Sequence, residues 1–354
     1  MTTVIRKATS PDLIAAVPTL IDRDPRGSLV LVAFRGKRTF AALRLDLPAL
    51  DIARAGEKRF TATALGLFSK IQGAEDVVPI VFPDAPVAAA APLLGAVARR
   101  FQQAGYAVRN ALAVGTDGWT SHFDPDARLG ALAEIESASE RLDLEPPSPV
   151  PGPIPRDEPG YRRMRYELAG IRMLVDEGDD LSVLDPLEDL PFFAENALGW
   201  SDSDLVERGA LLLYALQGPP ARDLVMLQWA FGLDLGDAMW SADTCAGLEA
   251  RKKFFDVNVQ ASELMLGRGE APSLDRIEAA IALLTTLVSR ADDADRPAPL
   301  CMLAWLNWAR GRGSAAGAHI DEVRSLAPEY SMGQLLDTLF SSGAMPEWVF
   351  VPPA

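Results

Sequence analysis

The feature that most constrains this chain is a proline-rich stretch near its middle. Residues 145–160 (EPPSPVPGPIPRDEPG) carry seven prolines. Such spacing favours extended, polyproline-like backbone, because each proline fixes its own φ and restricts the residue before it. The sequence therefore predicts a linker at 145–160 between two domains, 1–144 and 161–354. A docking segment for a proline-binding partner is the alternative interpretation.

The two halves also differ in charge. Residues 1–145 hold 17 basic and 17 acidic side chains, whereas residues 146–354 hold 17 basic and 32 acidic ones. The excess of acidic over basic side chains, which gives the net charge of −15, therefore lies entirely in the second half. Because an acidic surface repels phosphate backbones, we expect no nucleic-acid partner.

Composition also bears on location. Cys245 and Cys301 are the only cysteines, and both stand among apolar residues, which favours reduced thiols over a disulfide framework. The apolar stretch 77–98 contains four prolines, which would interrupt a membrane-spanning helix repeatedly. Arg6 and Lys7 are followed by no apolar run, so the first residues do not predict a secretory signal. We expect a cytoplasmic protein with no membrane partner.

The first half predicts an α/β domain in which helices pack on a mixed sheet. Residues 28–34 (SLVLVAF) form an apolar run typical of a strand buried on both faces, and a short polar turn leads to a second strand at 39–47. The other expected elements are strands at 77–82, 108–114 and 118–122 and helices near 52–71, 88–104 and 127–142. Pro79 inside the third strand indicates an edge position or a bulge.

The second half predicts an all-helical domain. We expect helices near 161–176, 202–217, 220–231, 247–266, 273–290, 299–311, 314–326 and 331–342. Residues 297–328 show a recurring pattern of large, small and helix-ending residues: Leu300, Leu303, Ala304, Ala316, Ile320, Val323 and Pro328. This pattern resembles a tetratricopeptide repeat, a hairpin of two helices. Since a stable array normally needs three repeats, a single hairpin built into a larger bundle is an equal interpretation.

Three stretches carry a wider resemblance. They are residues 12–34, with Val17-Pro18, Pro25 and Ser28, then Arg44–Pro48 (RLDLP), and Pro297–Leu339. Together they are similar to an actinobacterial family described only as a domain of unknown function. The resemblance implies the architecture given above, and it implies no activity.

The polar stretch 117–126 (DGWTSHFDPD) is the best candidate for chemistry. His122, Asp124 and Asp126 could place an imidazole and two carboxylates around a divalent metal, the one cofactor that we consider. Asp117 could add a further ligand or a base. The group follows a predicted strand end, where open α/β sheets bind ligands. An ordinary polar loop is the alternative, since aspartates beside proline are common in turns.

Arg44 and Asp46 form a second candidate, because alternate residues of a strand share one face. They could bind an anionic ligand or pair with each other. Other motifs are missing from the sequence: no phosphate-binding lysine loop, dinucleotide fingerprint, paired-cysteine zinc spacing or serine-nucleophile elbow occurs.

These features favour a non-enzymatic interaction or scaffold protein. Its acidic helical domain would bind a protein partner or a second copy of the chain. The alternative is a metal-dependent or small-ligand-binding hydrolase with a site near Asp117–Asp126. The lack of a catalytic signature favours the first of these hypotheses.

Overall fold

We describe the fold from a computed structural model of the chain. The structure describes residues 9–21, 23–36, 38–124, 129–144, 151–178, 181–244 and 248–351, without the side chains of residues 242–254. The chain divides into two compact units. Met1–Pro149 and Phe350–Ala354 belong to the sheet unit, and Val150–Val349 form the helical unit.

The sheet unit contains a mixed sheet, as the sequence predicts. Its strands are β1 (Ser28–Arg35), β2 (Arg38–Asp46), β3 (Asp76–Phe82), β4 (Ala107–Val108), β5 (Leu112–Gly115) and β6 (Gly118–Ser121). The order across the sheet is β2-β1-β3-β5-β6, and β4 pairs with β3. Pairing is antiparallel except between β3 and its neighbours β4 and β5, which run parallel to it. The parallel pairs follow from an α-helical crossover after β3, and the antiparallel pairs β1–β2 and β5–β6 follow from short turns.

Among its described residues, this unit has four helices: α1 (Ser10–Ile21), α2 (Arg54–Phe68), α3 (Val87–Gln103) and α4 (Leu132–Arg141). The apolar run of β1 is fully buried from Leu29 to Ala33, which confirms a strand covered on both faces. A core cluster joins Leu13, Ile14 and Val17 of α1 to alternate residues of β1 and β3.

Pro79 lies in a central strand, and the expectation of an edge position is wrong. Its residue pair on β1 is Leu31, so β3 continues through the proline without a register shift on that side. On the other side the neighbouring strand is interrupted between Val108 and Leu112. This interruption lies opposite Pro79, where a proline has no N–H to donate. The expected single strand 108–114 is therefore two short strands.

Phe350, near the end of the chain, packs in the sheet unit, although the sequence alone placed it with the helical domain. The backbone N–H of Gln72 donates a hydrogen bond to the carbonyl oxygen of Phe350 over 3.0 Å. The ammonium group of Lys70 lies 5.6 Å from the centre of its ring. Phe350 is buried.

The helical unit is built from ten α-helices among its described residues. They are α5 (Glu158–Glu177), α6 (Leu190–Ala197), α7 (Asp202–Leu216), α8 (Pro219–Phe231), α9 (Leu233–Thr244), α10 (Leu248–Met265), α11 (Leu274–Arg290), α12 (Pro297–Ala309), α13 (Gly313–Leu326) and α14 (Ser331–Ser341). Two 3₁₀ segments, Leu181–Asp189 and Glu347–Phe350, accompany them. The sequence did not predict α6 or α9.

Helix α12 is the centre of this unit, because every residue from Pro297 to Ala309 is buried. Helix α13 follows after a short loop and packs on α12. Six residues of the repeat-like pattern are buried in the shared core: Leu300, Leu303, Ala304, Ala316, Ile320 and Val323. Residues 297–326 therefore form a packed helical hairpin.

Helix α5 begins at Glu158, inside the predicted linker 145–160. Asp157 caps it, since the Asp157 side chain accepts a hydrogen bond from the N–H of Gly160. Pro159 sits in the first turn, a position where proline is favoured. None of the described helices is both long and apolar enough to cross a membrane.

Candidate functional site

Asp117 lies in the turn between β5 and β6, and its carboxylate is engaged at the start of α3. Its Oδ1 accepts a hydrogen bond from the N–H of Val87, the first residue of that helix, over 2.9 Å. Pro86 at the N-cap position of α3 supplies no side-chain acceptor. Asp117 therefore satisfies an amide that a helix start leaves unpaired, and its charge suits the positive end of the helix dipole.

His122 lies at the other end of β6 from Asp117. The four residues of β6 lie between them, so their Cα atoms are five steps apart along the strand, or about 16 Å at the usual rise. The donor atoms of two ligands of one metal ion each lie within about 2.6 Å of it. The structure therefore does not bring Asp117 to His122.

The imidazole of His122 is exposed and lies against α3. A side-chain carbon at Gly95 would come within 3.1 Å of His122 Cε1 and within 3.2 Å of Arg99 Nη1. The guanidinium of Arg99 thus flanks the ring, and a positive charge at this place opposes the binding of a metal cation.

Asp124 is exposed, and Asp126 lies outside the described residues. Among the residues that the structure describes, no group of three or more histidine, cysteine or acidic side chains is placed to hold a metal ion. The metal site at 117–126 and the hydrolase hypothesis stay predictions.

Arg44 and Asp46 are paired directly on β2. Arg44 Nη1 lies 2.8 Å from Asp46 Oδ1, and the Arg44 side chain is largely buried whereas that of Asp46 is exposed. Arg23 is close by: burial, and then the positive charge of Arg44, lower the pKa of Arg23. An anionic ligand at this place would compete with Asp46 for the guanidinium of Arg44.

In the helical unit, the described end of the proline-rich stretch is docked on the helices. Ile154 is buried and belongs to the main core cluster. Its carbonyl oxygen accepts a hydrogen bond from Arg296 Nη2 over 2.6 Å, and its N–H donates to Glu322 Oε2 over 3.4 Å. Arg296 and Glu322 also form a buried ion pair, 2.8 Å between Nη2 and Oε1. Both backbone polar groups of Ile154 therefore have partners.

Asp157 continues this attachment. Its N–H donates to the carbonyl oxygen of Ser289 over 2.9 Å, and its carboxylate accepts from Arg290 Nε over 3.0 Å. Arg156 adds an ion pair with Asp293. Residues 151–157 are thus part of the helical unit rather than a detached spacer.

The nucleophilic and basic side chains of the core are not placed for catalysis. His319 on α13 is buried, and burial lowers its pKa to about 4. Cys301 on α12 is fully buried, and burial raises the pKa of its thiol to about 12. Neither group has access to a substrate, so we interpret both as packing residues.

Among the described residues, large apolar side chains are exposed on both units, and the most exposed ones lie in the helical unit. Within the described residues, those more than half exposed are Tyr166, Met173, Phe192, Phe255, Leu274 and Leu335, all in the helical unit. The patterns that predicted the helices were interpreted only as core, so this surface was missed. The signal that could have found it is a second apolar stripe on the same helix.

Helix α10 carries such a stripe, which we call the α10 face. Phe255 and Val259 lie on this helix, and Leu266 follows its last residue, Met265. The three recur at helical spacing, and all are exposed. The opposite side of the helix, with Ala261 and Leu264, packs into the core. A helix that is apolar on two sides has one side available to a partner.

The comparisons with known proteins give one match. A family model matches residues 11–145 and 270–347, more than half of the chain. The three stretches that carried the wider resemblance lie within these ranges, whereas α5 and α10 lie between them. Neither the curated proteins nor the solved structures gave a match. The chain belongs to the family described as a domain of unknown function, DUF4192.

Proposed function

We propose that this chain is a protein–protein interaction or scaffold protein that acts through its acidic helical unit. The observation that carries the proposal is the concentration of strongly exposed apolar side chains on that unit. Exposing a large apolar side chain on a well-formed helix costs free energy in water, and a partner surface removes that cost. The α10 face would bind a partner with its own apolar surface.

Two further features support the proposal. The excess acidic charge of residues 146–354 would steer basic partners toward the helical unit and repel nucleic acids. The packed hairpin of α12 and α13, with buried small residues Ala304 and Ala316, is consistent with a tetratricopeptide-like element, a common scaffold for protein binding.

We further propose that the protein acts in the cytoplasm. Cys301 forms no disulfide and is buried as a thiol. A reducing compartment preserves such thiols.

Site-specific photocrosslinking of the full chain tests the proposal. A photoreactive residue replaces Phe255, and the chain is irradiated in its host cells. We expect one discrete adduct that excess unmodified chain competes away. The same probe in a Val259→Asp, Leu266→Asp background should give no adduct, because two charges then interrupt the apolar stripe.

The matched control carries the photoreactive residue at Phe123, an exposed aromatic of the sheet unit. We expect no competed adduct from that position. The proposal is wrong if Phe255 gives no competed adduct, or if Phe123 gives the same adduct as Phe255.

A further inference from the structure

Helix α5 is apolar on two opposite sides. Met164, Leu168 and Ile171 are buried in the core of the helical unit. On the other side, Tyr166 is 83% exposed and Met173 is 54% exposed. The spacing from Tyr166 to Met173 is two helical turns, so both side chains leave the same side of the helix.

We define the α5 face as this exposed stripe with its flanking residues: Arg162, Arg163, Tyr166, Ala169, Gly170, Met173, Asp176 and Glu177. All except the half-buried Gly170 are exposed. Its centre consists of the small residues Ala169 and Gly170, which would let another helix approach closely. One large apolar side chain stands on each side of that centre, and charged residues occupy both ends.

The order of residues in the α5 face is symmetric about its centre, with the charges reversed. Counting outward from the Ala169–Gly170 bond, Tyr166 and Met173 are equally distant from it. At the ends, Arg162 is as far before the bond as Glu177 is after it. Two antiparallel copies would therefore place every Arg162 beside a Glu177 and every Tyr166 beside a Met173.

We infer that two copies of this chain associate through their α5 faces, as an antiparallel helix pair about a two-fold axis. The symmetry determines the partner, because a two-fold interface needs a surface complementary to itself. A parallel arrangement would bring Arg162 against Arg162 and is disfavoured by like charge. Each aromatic ring would meet a thioether, a favourable contact.

This inference deepens the proposed interaction function by naming the partner of one surface. From Arg162 to Glu177 the face is about 22 Å long. A single helix pair of that length buries less than the roughly 800 Å² per partner of a standard interface. We therefore expect a reversible dimer that dissociates on dilution and weakens at high salt.

Charge reversal in the full chain, followed by sedimentation velocity over a range of protein concentrations, tests the pairing. Arg162→Glu or Glu177→Arg alone puts like charges at two places in the dimer, so each should weaken association by about tenfold. The double variant restores both pairs and should dimerise as the wild type does. Leu335→Ala, which removes an exposed apolar side chain of α14, is the control and should leave the dimer unchanged.

A second variant separates folding from association. A side-chain carbon at Gly170 meets no atom within 4 Å, so the monomer accommodates a larger residue there. Gly170→Phe should leave the unfolding transition in place, or raise it, and abolish the dimer because the helices can no longer approach.

The inference is overturned if the wild type stays monomeric at all concentrations, if the double variant is as weak as the single ones, or if Gly170→Phe still dimerises. These results leave the crosslink at Phe255 unaffected. Conversely, a lost Phe255 adduct with an intact α5 dimer would overturn only the proposed partner at the α10 face.

Discussion

Arg296 and Glu322 form an ion pair of 2.8 Å in which both side chains are at least nine-tenths buried. Arg296 is the N-cap residue of α12, and Glu322 lies on α13. Between them they hold the two backbone polar groups of Ile154. Burial raises the pKa of Glu322, and the charge of Arg296 opposes that rise. The pair therefore ties the entry of the helical unit to its central hairpin.

Removing one partner of this pair should be more harmful than removing both. We expect Glu322→Ala to lower the free energy of unfolding by about 3–5 kcal/mol, because Arg296 is left buried without a counter-charge. The double variant Arg296→Met, Glu322→Leu should be more stable than Glu322→Ala. Urea unfolding followed by tryptophan fluorescence is the measurement, since six of the seven tryptophans lie in the helical unit. Additive effects of the two single changes would contradict the coupling.

The buried side chain of Ile154 makes a separate prediction. Ile154→Ala should cost about 2–5 kcal/mol in the same urea experiment, and Ile154→Val only about 0.5–1.5 kcal/mol. The neighbouring Pro153 is exposed, so Pro153→Ala is the matched control and should change stability by less than about 0.5 kcal/mol. An Ile154→Ala variant as stable as the control would mean that residues 151–157 behave as a detached spacer.

Local sequence patterns correctly predicted the helices and strands that depend on residues close together in the sequence. The apolar run of β1 and the turn after it predicted the first two strands, and α11 lies where a helix was expected near 273–290. The docking of Ile154 could not be predicted in this way. Its partners Arg296 and Glu322 stand more than a hundred residues away in the sequence, and a proline pattern contains no sign of them.

The candidate site shows the same limit. Asp117 was grouped with His122 because the two are close in sequence. In the fold a strand separates them, and the partner of Asp117 is the N–H of Val87, thirty residues before it. The two-residue side-chain repeat of a β-strand correctly placed Arg44 and Asp46 on the same face of β2, because both residues belong to one strand.

The buried imidazole of His319 should make the stability of the folded chain depend on pH. Its pKa in the folded chain is about 4, compared with 6.5 for an ordinary histidine, because burial disfavours the charged ring. The unfolded chain therefore binds the proton more readily. The contribution of His319 to the free energy of unfolding is therefore fully present above pH 6.5. As the pH falls toward 4, the free energy of unfolding decreases by up to about 3 kcal/mol.

Urea unfolding at a series of pH values from neutral down to 4 checks this dependence. His319→Gln should lose stability less steeply than the wild type over that range, because the titrating ring is gone. His122→Gln, which replaces the other histidine of the chain at an exposed position, is the matched control. Parallel curves for His319→Gln and the wild type would contradict the prediction.

Cys301 predicts slow reaction with thiol reagents. The side chain is fully buried and its pKa is raised to about 12, so the reactive thiolate is scarce and inaccessible. In a Cys245→Ser background we expect labelling of Cys301 only as fast as the helical unit opens, with the rate rising on addition of urea. Fast labelling that is independent of urea would show an open thiol instead.

Replacing Asp117 should lower the stability of the sheet unit even when no ligand is bound. Its Oδ1 supplies the hydrogen bond that Pro86 cannot give to the start of α3, so Asp117→Ala should destabilise the sheet unit by about 1 kcal/mol. Asp117→Asn keeps an acceptor and loses only the interaction of the charge with the helix dipole, so its cost should be smaller.

Thr116→Ala, at the exposed neighbouring position of the same turn, is the control. Hydrogen exchange of the α3 amides, followed by mass spectrometry, is the measurement, because it reports on the sheet unit without changing any core residue. If Asp117→Ala were as stable as Thr116→Ala, the carboxylate would not be holding the helix.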